Sequence, residues 1–283
     1  MKVNLTQTIS TIVQDIQASG HKVWLVGGAI RDLLLEREPK DLDLCTDCLP
    51  SVVKLLVNGA GFIAIPDEKA FAHGIVRVVD KDTGNIIDIA TLRKDVECDG
   101  RHALVEFTDN LLDDLARRDF TINAIAAEID SSGQLWELID PHNGKLHLSR
   151  GEIIFVGSAT DRIKEDSLRM IRACRFTALG ADFHIPPDQQ EVMQQYANLV
   201  LIVSKERVRD ELMKAISYPI PSKFFRSLEE RGLLQHTIPE LVPAVGCIQN
   251  VHHAAYGIIC IKCNIEITTN ELKILKENNW SHC

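Results

Sequence analysis

The spacing of hydrophobic positions divides the chain into a mixed front part and a helical remainder. Apolar residues that recur three or four positions apart predict helices, and short apolar runs between turn residues predict strands. These rules predict helices over 4–18, 30–35 and 50–57, and strands over 23–26, 62–65, 74–79, 85–90 and 134–139. The front part is therefore expected to be a small mixed sheet with helices packed against it.

Two longer segments interrupt this pattern. Residues 91–110 are polar and lack periodicity, which predicts an irregular functional loop, whereas residues 111–127 have a helical period. After about residue 145 only helical patterns follow. The predicted fold class is α+β, with a head over 1–144, a helical neck over 145–220 and a partial helical body over 221–283 that is short at its C-terminal end.

Composition excludes several classes of protein. The 283 residues are 45% hydrophobic and 25% charged, as in ordinary globular proteins. No apolar run reaches the roughly 18 residues of a membrane span, and residues 1–20 lack a signal-peptide core. We therefore expect a cytoplasmic protein without a membrane partner. The net charge of −9 opposes nucleic-acid binding except at local cationic clusters, which occur at 117–118, 162–175 and 205–209. The oligomeric state is not predicted.

Eight cysteines are scattered along the chain. Cys45 and Cys48 form one pair with zinc-like spacing, and Cys260 and Cys263 form another. A shared zinc site would require the two pairs to meet across most of the chain, so reduced thiols are the favoured interpretation.

A strand, a glycine pair and a helix follow one another at 23–35. Gly27 and Gly28 end the apolar run, and a turn of this kind leaves backbone N–H groups free for a phosphate. Glycine permits close approach of the backbone, and Arg31 can add a bidentate contact to a phosphate oxygen. By itself, a Gly-Gly pair is also consistent with an ordinary turn.

Asp41 and Asp43 are two positions apart in Asp-Leu-Asp. On a strand, alternation places both carboxylates on one face, where they would hold Mg²⁺ beside a triphosphate. Taken alone, such a motif is more often a solvated turn, and it is the combination with the glycine turn that favours a metal site. Asp88 lies inside an apolar strand pattern, where a carboxylate is unfavourable unless it is paired, bound to metal or exposed at a sheet edge.

The first of these motifs resembles a known family. Leu-Val-Gly-Gly-Ala-Ile-Arg-Asp-Leu-Leu-Leu (25–35), followed by Asp-Leu-Asp (41–43), resembles the nucleotidyltransferase signature of class II tRNA nucleotidyltransferases and bacterial poly(A) polymerases. The resemblance implies a polymerase-beta-type head that extends RNA 3′ ends from nucleoside triphosphates without a template. It also implies catalytic roles for Asp41, Asp43 and a third carboxylate, for which Asp88 is the candidate, with Asp41 and Asp43 as the metal ligands.

Three further segments resemble motifs of the same family. Arg-Arg-Asp-Phe-Thr-Ile-Asn-Ala (117–124) is similar to the ribose-selecting motif, which implies that Arg118 contacts the nucleotide and that Asp119 and Asn123 contact the sugar hydroxyls. Glu-Asp-x-x-Arg-x-x-Arg-x-x-Arg-Phe (165–176) resembles the nucleotide-selecting helix. Ser-Lys-Glu-Arg (204–207) resembles a motif that supports that helix.

The residue types of the selecting helix suit the reading of a base. Asp166, Arg169, Arg172 and Arg175 recur every third position, so a continuous helix would present them on one slowly rotating face. Cytosine and adenine each present an amino donor beside a ring-nitrogen acceptor. A carboxylate accepts from the amino group and a guanidinium donates to the ring nitrogen, so Asp166 and Arg169 would accept C and A alone. Arg172 and Arg175 would orient that pair or reach the triphosphate. On spacing alone, a solvated stripe of ion pairs fits as well.

The resemblance implies specific substrates. The expected partners are the tRNA 3′ end, CTP and ATP, with C, C and A added in turn. The alternatives are a specialist that adds only CC or only A, a poly(A) polymerase, an inactive RNA-binding remnant, and an enzyme of the same superfamily that modifies a small molecule. The length of the 91–110 loop favours addition of the terminal adenosine.

The C-terminal end departs from the family pattern. Residues 249–253 resemble the start of a further segment, but 254–283 do not continue it. This departure predicts a short natural form, a truncated fragment or a frameshifted product, with weaker binding of RNA. A metal role for His252 or His253 is not favoured.

Overall fold

The computed structural model describes residues 1–39, 41–98, 103–239, 241–242, 257–260 and 265–268. It divides the chain into two compact units, Met1–Leu148 and Ser149–Cys283. Residues 99–102 of the predicted irregular segment and the histidines at 252 and 253 lie outside the described residues.

A six-stranded mixed sheet forms the centre of the first unit. Its strands are β1 (Val23–Val26), β2 (Leu44–Thr46), β3 (Ile75–Val79), β4 (Ile86–Thr91), β7 (Ala126–Ile129) and β8 (Leu135–Ile139). They lie in the order β3-β4-β2-β1-β7-β8, and β2–β4 is the parallel pair of this sheet. β5 (Arg93–Cys98) and β6 (Ala103–Phe107) form a separate antiparallel pair.

The parallel pairing sets the position of the candidate carboxylates. Leu44 on β2 is opposite Ile89 on β4. The residues that precede them, Asp43 and Asp88, are therefore neighbours at the end of the sheet where β2 begins. β1 lies between β2 and β7 in the interior of the sheet, and all four of its residues are therefore buried. Its continuous apolar run predicts this burial.

The first unit also contains helices, several of which pack against the sheet. They are α1 (Gln7–Ala18), α2 (Gly28–Leu34), α3 (Pro50–Gly59), α4 (Glu68–Ala72), α5 (Leu111–Ala116) and α6 (Gly144–Ser149). In α1 the side chain of Thr6 accepts a hydrogen bond from the N–H of Ile9, which caps the helix. Ile12, Val13 and Ile16 face a core shared with β1, β2 and β4. The predicted mixed sheet with helices is confirmed.

Three local predictions were wrong. The segment 91–110 contains the antiparallel strands β5 and β6, and the polar residues of β5 gave no signal of a strand. The helix predicted over 111–127 ends at Ala116 and is followed by the 3₁₀ turn Thr121–Asn123 and by β7. Residues 120–127 are all buried and mostly apolar, so apolar residues also occur at the three- and four-residue spacing that predicts a helix. The strand predicted over 62–65 is reduced to one bridge from Ala64 to Val78.

The second unit is mostly helical. Its helices are α7 (Ala159–Glu165), α8 (Leu168–Thr177), α9 (Pro187–Gln195), α10 (Lys205–Ile216), α11 (Pro221–Glu230) and α12 (Leu234–Thr237), with a 3₁₀ segment at Ala197–Ile202. α8 packs against α10 and α11. The antiparallel strands β9 (Gly257–Cys260) and β10 (Ile265–Thr268) depart from the expected all-helical remainder. Among the described helices, none is long and apolar enough to cross a membrane.

The single helix expected over 165–176 is broken in two. Asp166 is the C-cap of α7 with extended backbone angles (φ −154°, ψ 101°), and α8 begins two residues later. The prediction that Asp166 shares a helical face with the three arginines was therefore wrong. The carboxylate of Asp166 accepts a hydrogen bond from the N–H of Leu168 at 3.2 Å, which favours the break over a continuous helix.

Candidate functional site

The turn between β1 and α2 is the tightest point of the site. Gly27 has φ +66° and ψ −128°, a conformation that favours glycine. A Cβ atom at this position would lie 3.0 Å from Nη1 of Arg118 and 3.5 Å from Oδ2 of Asp43. The missing side chain thus lets a candidate metal carboxylate and a candidate nucleotide-binding arginine approach the same backbone turn.

Behind the turn, Arg31 is buried and fixed by two neighbours. Its Nη1 donates to Oδ1 of Asn123 at 2.9 Å, and its Nη2 donates to Oδ1 of Asp32 at 2.7 Å. The side-chain nitrogen of Asn123 in turn donates to Oδ1 of Asp119 at 3.3 Å. Three residues predicted from two separate motifs, Arg31, Asn123 and Asp119, therefore form one polar chain, with Asp32 as a member that the sequence analysis missed.

A single buried carboxylate holds the arginine pair. Oδ1 of Asp114 accepts from Nη2 of Arg117 at 2.6 Å, and Oδ2 accepts from Nη2 of Arg118 at 2.9 Å. Burial by itself would raise the pKa of Asp114, but Arg118 and Arg117 outweigh it, and the pKa lies below its ordinary value. The sequence analysis missed Asp114, although its three- and four-residue spacing to the arginines in a helical pattern signals such contacts.

Asp41 and Asp43 precede β2, so the prediction that they lie on the strand was wrong. Their backbone is nevertheless held, because the N–H of Val26 donates to the carbonyl of Asp43 at 3.0 Å. Asp41, Asp43 and Asp88 line one cavity of about 880 Å³. Packing around the carboxylate of Asp43 raises its pKa; Arg118 opposes this rise, and the charge of Asp41 adds to it.

Asp88 has a protein partner inside the same cavity. Arg77 on β3 faces it across the strand pair, and Nε of Arg77 lies 3.0 Å from Oδ1 of Asp88. Within the described residues, no three histidine, cysteine or acidic side chains converge closely enough to hold a metal ion. Asp41 and Asp43 are therefore a pair of carboxylates, and the neighbouring Asp88 forms an ion pair with Arg77.

In the second unit, the two candidate base-reading residues have separate partners. Arg207 donates to both oxygens of Asp166, at 3.1 and 2.7 Å. Arg169 pairs with Glu165 at 2.6 Å and donates to the carbonyl of Arg162 at 3.0 Å. Glu165 belongs to the motif 165–176 and Arg207 to the motif 204–207, but neither the contact of Glu165 with Arg169 nor that of Arg207 with Asp166 was predicted from the sequence.

The two remaining arginines of α8 bind one acid on α10. Arg172 and Arg175 both contact Glu211, which is 2% exposed. Arg175 is itself buried, bonds the hydroxyl of Tyr218 and lies over the ring of Phe176. Its contacts join α8 to α10 in the interior, whereas the sequence analysis gave Arg175 a role at the nucleotide.

Two segments of the chain match families of known proteins. Residues 23–154 match the family described as the poly A polymerase head domain, and residues 182–245 match the probable RNA and SrmB-binding site of polymerase A. The chain belongs to the poly A polymerase head-domain family. The family head contains every candidate residue of the first unit, from Gly27 to Asn123.

Relatives of this head-domain protein include the CCA-adding enzyme of Geobacillus stearothermophilus, which is 37% identical over 225 residues, covering 78% of this chain and 52% of that enzyme. Solved structures include the Bacillus stearothermophilus CCA-adding enzyme in complex with CTP, with a TM-score of 0.69, 33% identity and coverage of 87% of this chain and 57% of that one. A complex of a CCA-adding enzyme with ATP has a TM-score of 0.65, 27% identity and coverage of 82% and 52%. The chain spans about half the length of the curated relatives it matches.

Proposed function

We propose that this chain adds C, C and A to the 3′ end of tRNA, taking CTP and ATP as substrates and releasing pyrophosphate. The observation that carries the proposal is the meeting of Asp43, Arg118 and Gly27 at one turn, with Asp41 beside them. An acidic pair and an arginine beside a glycine turn support the proposal that a triphosphate binds there. The named relatives that add CCA, and the complexes with CTP and ATP, support the choice of substrates.

The carboxylates fit Mg²⁺. This ion takes hard oxygen ligands, and it commonly binds one or two carboxylates while water and substrate phosphates complete its octahedron. Asp41 and Asp43 are both exposed on the cavity side and lie close enough for the charge of one to raise the pKa of the other. When bound, Mg²⁺ would favour ionisation of the RNA 3′-hydroxyl and neutralise charge on the phosphates. Asp41 and Asp43 are the residues that would hold it.

The protein groups around the turn would orient the nucleotide. Gly27 and Gly28 allow the phosphates to reach the backbone, and Arg118 presents its guanidinium over the turn. Arg31 is fixed by Asp32 and Asn123, so its side chain would lose little conformational freedom when the nucleotide binds beside it. Asn123 and Asp119 are the candidates for the sugar hydroxyls.

Asp166 and Arg169 would read the base. A carboxylate accepts from the amino group shared by C and A, and a guanidinium donates to the adjacent ring nitrogen. Uracil and guanine present the reverse order and would leave charged groups unpaired, an arrangement that costs several kcal/mol, of order a thousandfold in selectivity. Arg207 and Glu165 hold the two reading groups and would preserve their orientation. Arg172, fixed by Glu211, supports the same helix.

An incorporation assay tests the proposal. The purified chain is incubated with Mg²⁺ and tRNA lacking its terminal CCA, with CTP alone, ATP alone and both. We expect two additions with CTP and a third only when ATP is also present. Addition of C alone, of A alone, or of a long A tract would instead identify a CC-adding, an A-adding or a poly(A)-forming enzyme.

Matched variants connect the assay to the site. Asp41→Ala is expected to abolish incorporation with an unchanged circular dichroism spectrum, and Asp109→Ala, which removes an exposed carboxylate elsewhere in the first unit, should retain it. Near-normal turnover by Asp41→Ala would contradict the assignment. Binding of CTP without any product in the wild-type chain would instead indicate an inactive RNA-binding remnant.

A further inference from the structure

Arg77 occupies the wall of the cavity that contains the three candidate carboxylates. It lies on β3 directly opposite Asp88 on β4. Its Nε is 3.0 Å from Oδ1 and 3.3 Å from Oδ2 of Asp88, and its Nη2 is 3.3 Å from Oδ2. One edge of the guanidinium therefore engages both oxygens of the carboxylate that lies next to Asp43.

The opposite side of the same guanidinium is anchored elsewhere. Nη1 of Arg77 donates to Oδ2 of Asp67 at 2.8 Å. The other oxygen of Asp67 accepts from the N–H of Ala70 at 3.0 Å and caps the start of α4. Asp67 is thus a fixed acceptor on the backbone framework, and Arg77 keeps one partner even when Asp88 leaves it.

Asp88 cannot serve Arg77 and a metal ion equally well. The forked donors of Arg77 take one lone pair on each oxygen of Asp88 and orient the carboxylate toward the guanidinium, whose positive charge opposes the approach of a second cation. The pair is also partly exposed, with 38% of the Arg77 and 41% of the Asp88 side chain accessible, so it is weak enough for a divalent cation to compete with it. The described residues show the state in which Arg77 holds Asp88.

We infer that Arg77 is a positioning residue that withholds Asp88 from the metal, so that the metal site of the nucleotide-free protein consists of Asp41 and Asp43. This inference rests on the metal site of the proposed function. It assigns Asp88 a conditional role in place of the permanent catalytic role implied by the family resemblance. Loss of the arginine fork recruits Asp88 as a third ligand and tightens metal binding.

The test measures Mn²⁺ binding without nucleotide, by electron paramagnetic resonance of the free ion. Arg77→Gln is expected to bind Mn²⁺ about fivefold to tenfold more tightly than wild type, because a third carboxylate becomes available. Arg77→Lys keeps the charge but loses the fork, so it should also bind more tightly. Lys2→Gln removes a positive charge from the same cavity wall and should stay within about twofold of wild type. In the Asp88→Asn background, Arg77→Gln should have no effect.

The possible results separate this inference from the proposed function. If Asp43→Asn binds Mn²⁺ as well as wild type does, the metal site is wrong and both ideas fail. If Asp43→Asn loses binding but Arg77→Gln and Arg77→Lys leave it unchanged, only the role of Arg77 is overturned. That role is also overturned if Arg77→Gln tightens binding equally with and without Asp88, because the effect would then be one of charge alone. Thermal melts of each variant confirm that the titrated protein is folded.

Discussion

Both carboxylate oxygens of Asp166 accept hydrogen bonds from Arg207, at 3.1 and 2.7 Å. Arg207 lies on α10, whereas Asp166 lies at the break between α7 and α8. The bidentate pair fixes the carboxylate of Asp166, which lies outside both helices. Arg169 is fixed separately by Glu165. The two groups proposed to read a base are therefore oriented by different neighbours.

Removal of Arg207 should relax nucleotide selection. In Arg207→Ala, Asp166 loses its bidentate partner and samples several orientations, so we expect about tenfold more incorporation of U or G relative to C and A. The measurement is single-nucleotide incorporation from each of the four triphosphates. Arg209→Ala is the matched control, because Arg209 lies on the same helix and pairs with its neighbour Asp210. Equal fidelity in the two variants would refute the orienting role.

Addition of one methyl group at Gly27 should inactivate the site. A Cβ there meets Nη1 of Arg118 at 3.0 Å on a backbone with φ +66°, so Gly27→Ala should cost about 1–2 kcal/mol of stability and most of the activity. Gly20→Ala is the control, since Gly20 also has positive φ but nothing within 4 Å of its Cβ position. We expect similar thermal destabilisation in both variants, with incorporation lost only in Gly27→Ala.

Replacement of Asp114 should leave two arginines without their shared acid. Breaking a buried ion pair costs about 3–5 kcal/mol, so Asp114→Asn should lower the free energy of unfolding by that order at neutral pH. Asp113→Asn, at a more exposed position of the same helix, is the control. Chemical denaturation by urea provides the measurement, and a variant as stable as wild type would contradict the pairing.

The same pair predicts a response to acid. The pKa of Asp114 lies below its ordinary value of 3.8, because the two arginines favour the charged form. Its contribution to stability is therefore present above that value and is lost as the pH falls through the lowered pKa. The stability difference between wild type and Asp114→Asn should be constant from pH 7 to 5 and should shrink below pH 4, as measured by urea denaturation. A difference that grows in acid would contradict the sign of the shift.

Replacement of Glu211 should strongly destabilise the second unit. It is buried and holds both Arg172 and Arg175, so Glu211→Gln removes the charge that balances them. We expect a loss of about 3–5 kcal/mol in the unfolding free energy of the helical unit. Glu191→Gln, on α9, is the control and should change stability by less than about 0.5 kcal/mol. Thermal unfolding measures both variants, and equal melting temperatures would contradict a stabilising role of the buried Glu211.

The elements that the sequence predicted well are those with one strong local signal. α1 and β1 follow directly from helical spacing and from an unbroken apolar run, and the start of α3 follows from Pro50. The failures have two causes. Residues 120–127 are all buried, so their mostly apolar sequence has no polar face to separate a helix from a turn and a strand. Among the described strands β5 pairs with β6 alone, and its polar residues give no strand signal.

For the site, sequence reasoning found the residues that resemble motifs and missed the residues that hold them. Asp32 is adjacent to Arg31, and Asp114 is three and four positions from its arginines, so a local spacing indicates these two contacts. Glu211 and Arg77 have no fixed spacing to the residues they contact. Long-range pairs such as Asp166 with Arg207 depend on how helices pack. No single-sequence pattern encodes that packing, so the supporting contacts appear only in three dimensions.

The carboxylate of Asp114 serves as a spacer as well as a counter-ion. Because each of its oxygens accepts from one guanidinium, Asp114 helps to set the distance between Arg117 and Arg118, together with the carbonyls of Arg93 and Asn123 to which they also donate. A longer acid at this position would preserve the net charge and yet move the whole cationic pair away from the glycine turn.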